Sequence, residues 1–314
     1  MAEFVHLHTH THYSMQSSTI MPPDLFAQCQ KLGMKAVAIT DYASMFNMPE
    51  LFGEAKKKDV KLIIGSEIFV VPGSMSDKKQ QEIYHLVLLV KNEAGYQNMC
   101  RILSAAARDG FYQQRPRVDL NLISANSEGL ICLTACEEGA LSKFILHNDY
   151  EGAIRFVQTY KEVFKDDFYI ELQSHNAPND EKLNQAKIRL AEELSIKVVA
   201  TNDVHYLEKK DAPLQDALQS IRNKQTQANS NRPKLPTEEF YLKSADEMAR
   251  VFNDEHQELT NTLEIAEKCT FKFQDQDPRL PHFEIPEGFK DDSEYLTYLT
   301  FEGAKRKYGD IDAM

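Results

Sequence analysis

Long apolar runs are scarce in this 314-residue chain. No stretch approaches the roughly 20 apolar residues that span a bilayer, so no membrane helix is expected. Positive charge is also in short supply. Lys and Arg number 36 against 48 Asp and Glu, leaving a net charge of −12. That balance argues against a strong stand-alone nucleic-acid clamp, which needs a basic surface, and leaves room only for a local basic loop. The five cysteines, Cys29, Cys100, Cys132, Cys136 and Cys269, are odd in number and irregularly spaced. They read as reduced thiols of a cytoplasmic protein, not as a disulfide framework. No basic segment followed by an apolar one opens the chain, so no secretory leader is expected. Neither GxxxxGK[ST] nor GxGxxG occurs, and a glycine loop cradling a nucleotide is therefore not indicated. A hydrophobic content of 42% and a charged fraction of 27% describe an ordinary globular protein.

What the chain does have is histidine in an unusual place. Four of its ten histidines fall within the seven residues His6-Leu7-His8-Thr9-His10-Thr11-His12. If the stretch 4–9 is a strand, a spacing of two puts these imidazoles on one face. Neutral imidazole is the commonest side-chain ligand for zinc and its neighbours, so such a face reads as part of a metal site. The apolar pair Phe4-Val5 before it argues against an appended tag.

Further along, short apolar runs alternate with helical patterns. Strands are expected at 4–9, 36–40, 62–71, 85–90, 130–135, 168–173 and 197–201, with helices near 22–32, 49–58, 94–108, 150–164 and 180–194. Alternation of this kind implies parallel βα units, and runs as apolar as Leu86-Val87-Leu88-Leu89-Val90 suit strands buried on both faces. The class is α/β. A closed βα barrel is the most economical architecture, with an open doubly wound sheet as the alternative. Residues 223–237 are polar and proline-bearing and read as an exposed loop. Helices are expected near 245–253 and 256–269, a proline-rich linker over 275–288, and a last helix near 293–308 that reads as the start of a further region.

Ligand-type residues gather at strand ends, the face on which parallel barrels build their sites. His8 and His10 close the first strand, Asp41 and Tyr42 follow the second, and His85 opens another. Cys136 follows Ile131-Cys132-Leu133-Thr134-Ala135, and Asp203 and His205 follow Val198-Val199-Ala200-Thr201. Glu67 lies inside the apolar run Ile63-Ile64-Gly65-Ser66-Glu67-Ile68. Burying a carboxylate there is costly unless a cation compensates it. The loop from Gly110 to Arg117 carries Phe111, Tyr112, Arg115 and Arg117. Its two arginines are candidate contacts to a phosphate backbone, and a solvated hairpin packed by the two aromatics is the equal alternative.

The motifs FVHLHTHTHYSM, AVAITDYASMF, IIGSEIFVVP, YHLVLLVKN, GLICLTACEEGAL and VVATNDVHYL, in that order, resemble the polymerase-and-histidinol-phosphatase (PHP) domain of the bacterial replicative DNA polymerase III alpha subunit. So do EFYLKSADEM and NTLEIAEKC, while RLPHFEIPEGF and YLTYLTFEGAKRKYG resemble the start of that subunit's polymerase region. The resemblance implies a distorted seven-stranded barrel over 1–275, with a linker and the first piece of the palm region over 276–314. It implies nine ligands for three metals. By motif, His8, His10, Glu67 and Asp203 would hold the first ion. Glu67, bridging, would hold the second with His85 and Cys136. The third would need His205 together with an acid where Ser17 stands and a histidine where Tyr42 stands.

Serine cannot supply a carboxylate. Tyrosine, with an ordinary pKa of about 10, is a poor ligand unless a strongly polarising metal ionises it. The expectation is therefore a divalent metal site of up to two ions, Zn²⁺, Mn²⁺ or Fe²⁺, with the third lost. Such a domain would mainly support its polymerase, with little or no 3′–5′ exonuclease activity. Its partners would be the remainder of the alpha chain, other replisome subunits including a separate proofreading nuclease, and DNA through the full-length protein. The rival readings are an active metal-dependent exonuclease or phosphoesterase and, further off, a free-standing histidinol-phosphatase-like enzyme. Among the other histidines, His6 reads as packed or hydrogen-bonded and His175 as a surface-loop residue.

Overall fold

The computed structural model describes residues 3–79, 82–229, 231–252, 257–273 and 282–309. Its chain divides into two compact units, Met1–Phe273 and Gln274–Met314.

In the first unit the strands are β1 (Ala36–Ile39), β2 (Lys61–Val70), β3 (Tyr84–Val90), β4 (Phe111–Tyr112), β5 (Arg115–Val118), β6 (Leu130–Leu133), β7 (Phe168–Gln173) and β8 (Lys197–Thr201). The helices are α1 (Pro22–Lys31), α2 (Met48–Lys57), α3 (Glu93–Arg108), α4 (Leu120–Ala125), α5 (Ala140–Leu146), α6 (Tyr150–Phe164), α7 (Asp180–Leu194), α8 (Ala212–Arg222), α9 (Ala245–Val251) and α10 (Gln257–Lys268). Of these, α4, α5 and α8 are not among the expected helices. The first two have 6 and 7 residues, too short for a helical period to declare itself. Proline at the first turn of α1 and α2 costs no hydrogen bond that the helix would otherwise make.

The sheet runs β4-β5-β2-β3-β6-β7-β8, with β1 on β2. Most pairs are parallel as expected, but β3 is antiparallel to both β2 and β6. The described residues between β2 and β3 hold no helix, so β3 returns beside β2 without the crossover that a parallel strand requires. The expected strand at 4–9 is instead an extended segment with single bridges, His6 to Val37 and Thr9 to Val204. These bridges close the sheet: the segment lies between β1 and the chain leaving β8. Counted with β1, β2, β3, β6, β7 and β8, it makes seven walls of a distorted barrel.

The segment is also irregular. Ala38 N donates to His6 O and Thr40 N to Thr9 O, each at 2.8 Å. Three residues of the segment thus face two of β1, which is the count of a β-bulge, and a bend falls at His8. The extra residue breaks the alternation. Val5 and Leu7 join the interior apolar cluster, while His8 and His10 turn into the mouth of the barrel and His6 faces elsewhere. The expectation that all these histidines share one face is corrected here.

Two apolar layers hold the ring. Val37, Ile39, Leu62, Ile64, Leu86, Leu88 and Ile170 pack outward with helix residues such as Phe26, Leu51, Met99, Val157 and Leu190. Ala36, Ala38, Ile63, Val87, Leu89, Leu133, Tyr169 and Val199 fill the interior. Ile265, Ala266 and Cys269 from α10 and its end join that interior layer where the strands begin. Asn261 Nδ2 donates to Val198 O (2.7 Å) and Lys61 Nζ to Ala266 O (2.6 Å) at that end. The opposite end is left for polar groups. Gly65 keeps the walls tight just below it, since a Cβ there would come within 2.7 Å of Leu88 O and 2.9 Å of Thr40.

The second unit contains α11 (Asp292–Tyr308), capped by the Asp291 carboxylate, which accepts from Glu294 N at 2.9 Å. Leu296, Leu299 and Phe301 on this helix are exposed. Of the expected linker over 275–288, the half up to residue 281 lies outside the described residues.

Candidate metal centre

The open end of the barrel collects residues from five walls. Glu67 comes from β2 and His85 from the start of β3, which reaches the same end because β3 runs antiparallel. His8 and His10 come from the bulged segment, Cys136 from the chain after β6, and Asp203 and His205 from the chain after β8. Asp203 adopts φ +42°, a left-handed conformation that non-glycine residues rarely take and that turns its carboxylate into the mouth.

His8, His10, Glu67 and Asp203 are buried and present four donor atoms within 4.8 Å of one another. His8 Nε2 stands 3.2 Å from Glu67 Oε2 and 3.4 Å from Asp203 Oδ1. His10 Nε2 stands 2.9 and 3.3 Å from the same two atoms, and 3.3 Å from His8 Nε2. Ligands about 2.0–2.2 Å from a tetrahedral centre are about 3.3–3.6 Å apart. The observed separations are close to those edges. Asp203 Oδ1 has three imidazoles around it and forms a proper hydrogen bond with none. A buried acceptor in that state suits a cation better than a proton donor. The residues therefore fit a divalent ion.

The second group is Glu67, His85 and Cys136, so Glu67 belongs to both. His85 Nδ1 donates to Glu67 Oε1 at 2.6 Å, and Cys136 Sγ is 3.9 Å from that oxygen. An ion here would replace the proton between His85 and Glu67.

Around these residues lies a supporting shell, of which only Asp41 is among the ligand-type residues read from the sequence. His8 Nδ1 donates to Glu171 Oε1 at 2.7 Å, which leaves Nε2 aimed into the mouth. Glu171 also accepts from Gln173 Nε2 (2.8 Å) and from the Thr201 hydroxyl. His10 Nδ1 bonds Ser14 Oγ at 2.9 Å, and Ser14 Oγ donates to Asp41 Oδ1 at 2.5 Å. Such carboxylate-backed imidazoles are characteristic of metal-ligating histidines. Glu171 is detectable on the reasoning applied to Glu67, because it too is a carboxylate inside an apolar strand.

Charge explains the protonation of the cluster. Burial pushes the Glu67 and Asp203 carboxyls up, but His85 and His8 beside Glu67, and His8 and His205 beside Asp203, outweigh burial and hold both well below the usual range. Burial opposes protonation of His10, yet the Asp203 and Glu67 carboxylates beside it raise it to about 9. His8 is raised well above its ordinary value against burial by Asp203, Glu171 and Glu67. Protons thus supply the positive charge that the carboxylates demand, and metal binding would release them. Burial first, then Glu67 and Asp203, push the Cys136 thiol up.

The remaining positions differ. His205 Nε2 is 3.2 Å from Asp203 Oδ1, and its Nδ1 donates to Ser17 O at 2.7 Å. The Tyr42 ring stacks on His10 with centroids 4.3 Å apart, and His10 stacks on His205 at 4.6 Å. Burial and the charges of Glu67 and Asp203 push the Tyr42 phenol well above its ordinary value, away from the phenolate a metal would need. Ser17 is buried and carries no charge.

Two expectations change. Arg117 is 1% exposed, and its guanidinium donates to Gly110 O, Asp77 O and Met75 O at 3.2, 3.3 and 2.8 Å and lies over the Tyr112 ring. Spent on backbone carbonyls, it is not presented to a phosphate. Arg115 is half-buried over Phe69 in the β4–β5 hairpin. His175 is not a surface residue. It is buried, bonded through Nε2 to Asn202 O at 2.9 Å and stacked 3.9 Å from Phe240. With Cys136, Asp203, Lys187 and Lys234 it lines a cavity of about 350 Å³ beside the cluster.

A seven-walled α/β barrel with a Glu67-centred His/Asp/Cys cluster at its mouth defines a metal-binding barrel as the class. The PHP domain family matches residues 6–175, and the chain belongs to that family. It is 39% identical to the DNA polymerase III subunit alpha of Borreliella burgdorferi, over 99% of this chain and 27% of that one. Against the same subunit of Treponema pallidum it is 36% identical, over 97% and 26%. Against that of Thermus aquaticus it is 34% identical, over 98% and 26%. The chain spans about a quarter of the length of these relatives. No helix among the described residues is long and apolar enough to cross a membrane.

Proposed function

We propose that this chain is the PHP region of a replicative DNA polymerase III alpha subunit, acting in the cytoplasm mainly to support the polymerase. Residues 1–275 form the metal-binding barrel and 276–314 the linker and first segment of the palm region. Alignment with DNA polymerase III alpha subunits across nearly the whole chain carries this reading. Its partners are the rest of the alpha chain, DNA reached through it, and other replisome subunits, among them a separate proofreading exonuclease.

The site holds up to two divalent ions, Zn²⁺, Mn²⁺ or Fe²⁺, the mixed N/O/S donor set suiting each of them. His8, His10, Glu67 and Asp203 hold one, and Glu67, His85 and Cys136 the other. A bound ion would supply Lewis-acid polarisation of a water or a phosphate oxygen. Glu171 and Ser14 orient the imidazoles, while Tyr42, Ser17 and His205 add no carboxylate on the third side. With charge left uncompensated there, hydrolysis of a phosphodiester is expected to be slow.

Two measurements test this. Elemental analysis after dialysis is expected to give two or fewer metals per chain. Release of product from a 3′-labelled single-stranded primer with Mn²⁺ or Zn²⁺ is expected to be marginal. Robust turnover that disappears in Asp203→Asn would replace the structural reading with the rival one, an active metal-dependent exonuclease.

A further inference from the structure

Helix α8 lays two side chains, seven residues apart on one helical face, onto the loop carrying Ser17. Gln215 Nε2 donates to Ser17 O at 2.5 Å and Arg222 Nη1 donates to Ser17 Oγ at 2.6 Å. Gln215 is buried, and although Arg222 sits at the exposed end of the helix, its tip reaches inward. The same Ser17 carbonyl accepts from His205 Nδ1. Ser17, His205, His10 and Tyr42 are joined by that bond and by the ring stack, and Arg222 brings a guanidinium against the Ser17 end of that chain of contacts. Its positive charge acts on the Tyr42 phenol in opposition to Glu67 and Asp203.

A guanidinium remains charged at every pH a folded protein meets and cannot be displaced by chelation. Placed against Ser17, it repels a divalent ion from the same spot. We propose that Arg222 is a built-in cation occupying the place a third metal would take, so the barrel mouth is neutralised by two exchangeable ions and one fixed charge. This inference rests on the two-ion reading and adds a cause to it. The third ion is excluded by a resident positive charge as well as by missing ligands. Restoring ligands at Ser17 and Tyr42 would then not suffice, because an introduced carboxylate would pair with Arg222.

The test is ion stoichiometry, by titration calorimetry and elemental analysis with Mn²⁺ and with Zn²⁺, on folded protein checked by circular dichroism. Wild type, Ser17→Asp/Tyr42→His and Ser17→Asp/Tyr42→His/Arg222→Ala are compared. The expected result is one additional ion per chain in the triple variant only. A third ion bound equally well by the double variant overturns the proposal, as does a triple variant that folds and gains none. Should the triple variant not fold, Ser17→Asp against Ser17→Asp/Arg222→Ala makes the same comparison with Tyr42 intact. The first two ions report separately on the two-ion reading, since a wild type that binds none refutes that reading whatever Arg222 does.

Discussion

His6 and His10 stand four residues apart on one extended segment, both buried, and their chemistry runs in opposite directions. His10 is raised to about 9, whereas burial lowers His6 to about 4, a hydrogen bond to Lys243 O only partly offsetting it. Both suffer desolvation, which disfavours the charged ring. What differs is the wall each faces. His10 meets Glu67 and Asp203, while His6 donates through Nε2 to Lys243 O at 2.8 Å and has the Lys243 cation nearby. A single extra residue at the bend separates the two environments. One end of the segment is built to hold positive charge, as proton or as metal, and the other to hold a neutral ring in place.

The largest effect should come from removing the shared carboxylate. Glu67→Ala strips His8, His10 and His85 of their common partner and leaves buried positive charge uncompensated. Loss of one partner from a buried pair costs about 3–5 kcal/mol. For a domain of this size that is a fall in Tm of roughly 10 °C by calorimetry. Chelation should act in the same direction, since an ion at 100 times its Kd contributes about 2.7 kcal/mol. Asp292→Ala, at an exposed position, should leave the melting curve in place. If EDTA removes metal and Tm does not move, the ions are not structural and the His10 end is held by its protons alone.

The contrast between the two histidines also marks how far the sequence can be read. The alternation of apolar runs with helical patterns places α6, α7, β7 and β8 with their observed bounds, because each is long and regular. The residues that gather at the mouth are legible through their places at strand ends and through the buried carboxylate Glu67. The bulge is not, since one residue gained in backbone pairing leaves no trace in composition. That is why spacing alone puts His6 on a face with His8 and His10. Nor is the antiparallel β3, whose apolar run looks the same in either direction. The fates of Arg117 and Arg222 are hidden for a related reason. An arginine within sight of an aromatic loop, and another at a helix end, look equally solvated until tertiary packing gives one three carbonyls and the other a buried serine.

The His6 end gives a smaller effect, visible only in acid. In the folded protein His6 stays neutral down to about pH 4, while in the unfolded chain it protonates below about 6.5. Unfolding therefore takes up a proton in that window. The contribution is intact above pH 6.5 and is lost as pH falls toward 4, reaching about 3 kcal/mol. His10 has the opposite sign in the metal-free protein: its contribution is present below 6.5 and is lost as pH rises through about 9. His6→Gln keeps a donor for Lys243 O and cannot titrate. Urea unfolding in EDTA between pH 7 and 4 should show a shallower decline for the variant than for wild type. Parallel curves would mean that His6 is protonated in the fold and that the two ends do not differ as described.

The smallest effect is expected at Tyr42, where the comparison can be sharpened. Its ring stacks on His10, so it touches the positive end, yet its phenol is held protonated by burial and by Glu67 and Asp203. If only packing matters there, Tyr42→Phe keeps the stack, leaves the metal count unchanged and shifts stability by no more than about 0.5–1 kcal/mol. A phenolate ligand behaves otherwise, because its removal would cost an ion outright. Elemental analysis of Tyr42→Phe beside wild type decides between them. Loss of a stoichiometric metal would make Tyr42 a ligand and extend the positive end past His10. An unchanged count would place its limit at the His10 ring, with Tyr42 serving as apolar cover over the ligands.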